Sequence, residues 1–427
     1  MTSLDPRPAP AARTCSAGWK RVGRRPMLLA ALLGTAGLAA CGEGPSDPAT
    51  AAPEHSPPDV SSPAETTSPA QEPAAAPSGT TTPDDPLAGW SLEEKVGQLL
   101  MVGVNATTPS QAAEDAVTAH HAGNIFLSGR SSASATEIGR TVSVFTGLTE
   151  SSTHGAAMLV ATDQEGGDVQ VLSGPGFSSI PSGAEQAGQS REQLVASATA
   201  WGQELASAGV TMNLAPVADL VDIAAPTSNA PIGQWHREYG HDAATVSSQA
   251  RAFAEGMRAA GVIPTFKHFP GLGRVKENTD TASGVTDSVT TRSGDPAVAI
   301  FGDAIAGGAE VIMVSSAYYS QIDAGAPAVF SSTIVTDMLR TEMGFTGVII
   351  TDDVSAAVQV QDWGAGERAV KAVSAGCDLV LASADASVAA AMATALVSAA
   401  QSDPALAARI DESARRILAL KSAKQGG

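Results

Sequence analysis

Two stretches of this chain place acids, a lysine and a histidine where short apolar runs stop. Pro264 to Asp287 reads PTFKHFPGLGRVKENTDTASGVTD, and Gly344 to Ala357 reads GFTGVIITDDVSAA. A parallel barrel strand delivers working groups to the loop at its C-terminal end in this way. Two further runs end alike, in Thr162-Asp163-Gln164-Glu165-Gly166-Gly167 and in Asn213-Leu214-Ala215-Pro216-Val217-Ala218-Asp219. Acids, amides and one Lys-His pair are thus expected on one rim. Such a mouth suits a polyhydroxylated ligand, whose hydroxyls are held by charged acceptors and donors. Glycoside cleavage asks in addition for a carboxylate below the sugar ring and a proton donor beside the leaving oxygen. Each acid taken alone has a plainer use, because Asp after a strand often caps the next helix. Asp353, ahead of Val354-Ser355-Ala356, is expected to cap or brace.

The elements that must position these residues alternate from about residue 88 onward. Eight apolar runs read as strands: 98–104, 124–128, 157–162, 210–215, 262–267, 311–316, 347–352 and 377–382. Helical patterns lie between them, among them 191–208, 242–260, 294–307, 332–343 and 387–400, and Ala408–Ala423 reads as a closing helix. Eight parallel-type strands with helical crossovers predict an α/β chain folded as a single (β/α)8 TIM barrel over 88–427. Alternation alone also allows an open doubly wound sheet, but there is no GxGxxG fingerprint to support one.

The first 41 residues differ in kind. Six basic residues (Arg7, Arg13, Lys20, Arg21, Arg24, Arg25) against Asp5 precede an apolar stretch, Pro26 to Ala40, too short to span a membrane comfortably. Basic region, apolar region and small residues make an export signal. Its end, Leu38-Ala39-Ala40-Cys41, resembles a bacterial lipobox, which implies lipidation at Cys41 and a membrane partner through that anchor. Residues 42–87, rich in Pro, Ser, Thr, Ala and Glu and free of Lys and Arg, lack the apolar surface to offset chain entropy and read as a disordered tether. Cys15 would leave with the signal and Cys41 would carry lipid, so Cys377 remains as a buried thiol without a disulfide partner. The formal charge is −19. Loss of the signal, with its six bases and one acid, makes it more negative still, which argues against a nucleic-acid partner.

As an ordered set, DQEGG, NLAPVAD, the PIG…REYG segment, KHFPGxG and GFTGVIITDD resemble glycoside hydrolase family 3, in its bacterial β-N-acetylglucosaminidase branch. The resemblance covers roughly residues 88–425. It implies that Asp352 is the nucleophile of a retaining double displacement, and that Asp163, Arg237, Lys267 and His268 hold the terminal sugar with Met313 beneath it. Gln234-Trp235-His236 departs from the family spacing before Arg237. A larger departure follows strand five. The common pattern there is KHFPGHG, four residues, then Asp-Ser-His, whose histidine is the acid/base. Here Leu272 replaces the first histidine, and Asn278-Thr279-Asp280 stands at the Asp-Ser-His positions. Asp280 is therefore expected to be the acid/base, if burial or the nucleophile's charge raises its pKa. Glu277 or Asp287 swinging in, or Asp280 merely capping the loop, are the alternatives.

Trp90 and Trp201 are expected to pack, while Trp235, His236 and Tyr239 are expected near the rim, where they could stack on a sugar. No HExxH, CxxC or GxSxG appears, so the expected chemistry uses neither metal nor cofactor nor a serine nucleophile. The implied activity is removal of terminal GlcNAc from GlcNAc-containing glycans or muropeptides outside the membrane. A β-glucosidase, a phosphorylase of the same family and an idle glycan-binding lipoprotein stay open.

Overall fold

The structure is a computed structural model that describes residues 85–148 and 153–425. Cys41, the export signal and the tether up to Asp84 lie outside the described residues. Residues 85–87, assigned to the tether from the sequence, already belong to the folded unit. Leu87 is buried there and Asp85 pairs with Arg415 at 3.0 Å.

Eight strands form one parallel sheet: β1 (Leu100–Asn105), β2 (Asn124–Ser128), β3 (Leu159–Thr162), β4 (Met212–Asn213), β5 (Ile263–Phe269), β6 (Val311–Val314), β7 (Val348–Thr351) and β8 (Val380–Ala382). Neighbours pair in chain order from β1 to β7, and β8 returns to β1. Closure between β7 and β8 is made by the Ile350–Leu379 bridge and by the Thr351 amide donating to the Leu379 carbonyl at 2.9 Å. The chain is therefore a (β/α)8 barrel. Its strands are covered on both sides, inside by one another and outside by helices, which is why they read as continuous apolar runs without alternation.

The helices begin where the sequence provides caps. Ser91, Ser134 and Ser190 each accept a hydrogen bond from the backbone three residues on, and Glu94, Glu137 and Gln193 answer with the reciprocal bond. These open the helices Leu92–Gln98, Ala135–Thr146 and Arg191–Ser207. The expected helices at 242–260, 294–307 and 387–400 appear as Ala243–Ala259, Pro296–Ala306 and Ala389–Ser402, and the closing helix is longer than expected, Pro404–Gln425.

Three local differences from the expected elements appear. Gln98 ends the first helix and does not open β1. The fourth strand is shorter than 210–215 because Pro216, without an N–H, interrupts the ladder soon after the Leu214 amide reaches the Thr162 carbonyl at 2.9 Å. The segment expected to be helical at 332–343 is a π-helix, Thr333–Glu342, whose end shows the wider spacing in the Met343 amide bonded to the Met338 carbonyl.

Candidate active site

A cleft of about 270 Å³ opens at the C-terminal ends of the strands, and Asp163, Arg237, Lys267, His268, Asp280, Met313 and Asp352 all line it. All seven residues singled out in the barrel by the sequence are thus brought together. Asp163 follows β3, Lys267 and His268 lie within β5, Met313 within β6, and Asp352 comes immediately after β7. Arg237 arrives from the long connection after β4, and Asp280 from the one after β5.

One end of the cleft is an ion-pair lattice. Lys267 Nζ is 2.7 Å from Asp163 Oδ1 and 2.6 Å from Glu165 Oε1. Arg237 donates to both oxygens of Glu165, at 2.8 and 2.7 Å, and to the Pro231 carbonyl at 2.7 Å. Burial works against ionising Glu165, but Arg237 and Lys267 outweigh it and hold the carboxyl down to about 2. The same acids raise Lys267 and Arg237 above their ordinary values despite burial. Glu165, Lys267 and Arg237 are therefore ionised at neutral pH, and the lattice presents charged donors and acceptors to a ligand.

Glu165 was quoted within DQEGG but given no role from the sequence. Asp219 is a second such case. It is fully buried, accepts His268 Nδ1 at 2.7 Å, and takes the backbone amides of His268 and Leu272 at 3.1 and 2.6 Å. Both acids stand at strand ends inside quoted motifs, which was the available signal. The Gly166 of DQEGG is required by space, since a Cβ there would lie 2.1 Å from the Pro181 carbonyl oxygen.

Across the cleft stand Asp352 and Asp280. The Asp352 amide donates to the Val314 carbonyl at 3.0 Å and its Oδ1 accepts the Asp353 amide at 2.8 Å. Burial raises the Asp352 carboxyl above its usual range, while His268, the Asp353 amide and Lys267 favour its charged form. Asp280 reaches solvent at the mouth but is crowded by protein. Burial first, then the charges of Asp352 and Asp353, push it up to about 6. Its loop is tied down, with the Gln359 amide on the Thr279 carbonyl at 3.0 Å and the Val358 amide on the Asp280 carbonyl at 3.3 Å. Asp287 is buried outside the cleft, accepting the amides of Val289 and Thr290, and Glu277 is exposed and does not line it. Of the three acids weighed for this loop, Asp280 is the one in the cleft.

Asp353 braces, as expected: its oxygens accept Ser355 Oγ, the Ser383 amide and the Ala356 amide at 2.7–2.8 Å, tying the β7 loop to the end of β8. Tyr239 is corrected. It is buried and donates its hydroxyl to Gln186 Oε1 at 3.1 Å, because it faces Phe253 in the core instead of the rim. Trp201 packs on Phe253, and Trp90 stacks on His154 at 4.7 Å. The Cys377 thiol is buried and its pKa is pushed up by that burial.

The chain is similar to several known proteins. An uncharacterized secreted glycosyl hydrolase of Arthroderma benhamiae is 37% identical over 281 residues, 63% of this chain and 76% of its own. A beta-hexosaminidase of Xylella fastidiosa is 35% identical over 293 residues, 66% of this chain and 82% of its own. The crystal structure of a beta-N-acetylhexosaminidase from Beutenbergia cavernae superposes with a TM-score of 0.77 at 54% identity, covering 78% of this chain and 98% of that one. Residues 91–420 match the glycosyl hydrolase family 3 N-terminal domain, and the chain belongs to that family.

Proposed function

We propose that the protein is an exo-acting, retaining β-N-acetylglucosaminidase that removes terminal GlcNAc from peptidoglycan-derived fragments. The observation that carries this reading is the pairing, in one cleft, of Asp352 with a second carboxyl, Asp280, pushed up to about 6. The family membership and the relatives named as hexosaminidases support the sugar. In the first step an Asp352 oxygen attacks the anomeric carbon, the glycosidic C–O bond breaks, and Asp280 gives its proton to the departing oxygen. Burial raises Asp280 most, and bonding to the sugar removes the Asp352 charge that adds to it. The Asp280 carboxylate then takes a proton from water as the water oxygen attacks the anomeric carbon and frees Asp352. Asp163, Lys267, Arg237 and His268 orient the hydroxyls and N-acetyl group, and Met313 lies under the ring.

Export is supported by the signal-like first 41 residues and by the relative described as secreted. Lipidation at Cys41 would hold the barrel outside the membrane on a tether that ends before Asp85, within reach of wall fragments. The test is a product assay on GlcNAc–MurNAc disaccharides with and without phosphate. Free GlcNAc at a rate independent of phosphate is expected. Sugar 1-phosphate formed only with phosphate would replace hydrolysis by phosphorolysis, and release from β-glucosides alone would overturn the sugar assignment.

A further inference from the structure

We propose that a second hollow, outside the cleft, is a subsite for a saccharide leaving group, with Trp235 as its stacking face. The proposal rests on the activity proposed above and concerns what lies beyond the bond that is cut. The hollow, about 290 Å³, is lined by Arg130, Asp168, Val169 and Trp235 together with five residues it shares with the cleft, Asp280 among them. A group attached through the oxygen that Asp280 protonates would project into this space.

Trp235 is 44% exposed, and among the described residues it is the one aromatic in the set of exposed large hydrophobic side chains. A single exposed apolar side chain is ordinary on any surface, but this one is built in. The Asn229 side chain takes the Ile232 and Gly233 amides at 3.0 and 2.9 Å, and the Trp235 amide donates to the Ile232 carbonyl at 3.1 Å. Gly233 is needed there, since a Cβ would sit 2.1 Å from the Pro226 carbonyl oxygen. His236 then adopts a left-handed backbone, φ 54°, unfavourable for a residue with a side chain. With this turn between them, Trp235 is left exposed and Arg237 is inserted into the Glu165 lattice. Gln234-Trp235-His236, the segment that departs from the family spacing before Arg237, builds the platform.

The other walls add polar groups. Arg130 is exposed, donates to the Asp168 carbonyl, and makes no ion pair among the described residues, so guanidinium donors remain for a ligand. The exposed Asp168 supplies an acceptor. An aromatic face beside a guanidinium donor and a carboxylate acceptor matches a pyranose, which has an apolar C–H face and hydroxyls at its edge. An alkyl group would leave the polar walls unused. A platform ordered before binding loses little entropy when the sugar arrives.

The test uses the whole protein, N,N′-diacetylchitobiose as substrate and free GlcNAc, which fills only the inner cleft, as competitive inhibitor. Trp235→Ala should lower kcat/KM for the disaccharide by roughly tenfold while the inhibition constant of GlcNAc stays within about twofold, and Trp235→Phe should recover most of the loss. An unchanged kcat/KM, or an equal loss in disaccharide turnover and GlcNAc binding, would overturn the subsite, the latter because Trp235 would be acting through Arg237. Absence of wild-type turnover would remove the activity and the subsite with it, an outcome distinct from an active wild type with an unaffected variant.

Discussion

Asp280 and Asp352 face one cleft from the loops after β5 and β7, and the negative charge of Asp352 helps keep Asp280 protonated up to about 6. Both carboxyls are raised above the ordinary range, in each case by burial first. Asp352 has His268, the Asp353 amide and Lys267 favouring its anion, while at Asp280 the charges of Asp352 and Asp353 add to burial and outweigh Arg237 and His268. That asymmetry gives a pH dependence. In the proposed first step Asp280 is protonated, so kcat/KM should fall as pH rises through about 6. It should also fall at low pH as Asp352, itself raised, takes up a proton. Asp280→Asn should remove the basic limb for an activated aryl substrate, and persistence of that limb would assign it elsewhere.

Asp352→Asn is expected to reduce turnover by roughly 10⁴-fold or more while leaving binding of GlcNAc in place. Its effect on stability has a definite sign. A carboxyl whose folded pKa is raised destabilises the fold once ionised, so at neutral pH the amide variant should melt at the same temperature as the wild type or above it. Calorimetry at pH 7 and pH 4 measures this, and the gap should narrow at the lower pH.

Asp280→Ala should slow substrates with poor leaving groups far more than activated aryl glycosides, since only the former depend on proton donation. Azide should restore part of the rate by replacing water as the nucleophile in the second step. Uniform loss on both substrate types would count against proton transfer by Asp280.

Glu165→Ala would leave Lys267 and Arg237 as neighbouring buried cations with Asp163 as the remaining close acid. Removing one partner of a buried ionic group costs about 3 kcal/mol or more, and KM should rise with it. The Glu165 contribution is present above the ordinary carboxylate range and is lost as pH falls toward about 2. Urea unfolding at pH 7 should therefore separate variant from wild type much more than unfolding at pH 2.

Gln359→Ala tests the tie between the two catalytic loops. Gln359 accepts the Val285 amide at 3.0 Å and donates to its carbonyl at 3.1 Å, both buried. Leaving these groups without partners costs about 2 kcal/mol. If loop position governs the acid, kcat should fall while GlcNAc inhibition changes little.

The barrel and its rim were legible because both follow from local pattern. Strands covered on both faces give unbroken apolar runs, and DQEGG, KHFP and ITDD mark where those runs reach solvent. The roles of Glu165 and Asp219 were not legible, because nothing local distinguishes an acid that grips Arg237 or His268 from one that touches a ligand. Tyr239 was misplaced for a related reason. It is two residues from Arg237, but the chain direction sends its ring into the core against Phe253. The brace between residues 279–280 and 358–359 joins loops far apart in sequence and left no trace in either.

Asp219 grips position 272 through the main chain, by the amide nitrogen, whichever residue the codon specifies there. The path by which the polypeptide leaves the fifth strand is thus independent of whether imidazole or an isobutyl group hangs from that point. A scaffold anchored in this fashion accommodates the proposed exchange farther along, carboxyl for imidazole, without rerouting the segment that carries it.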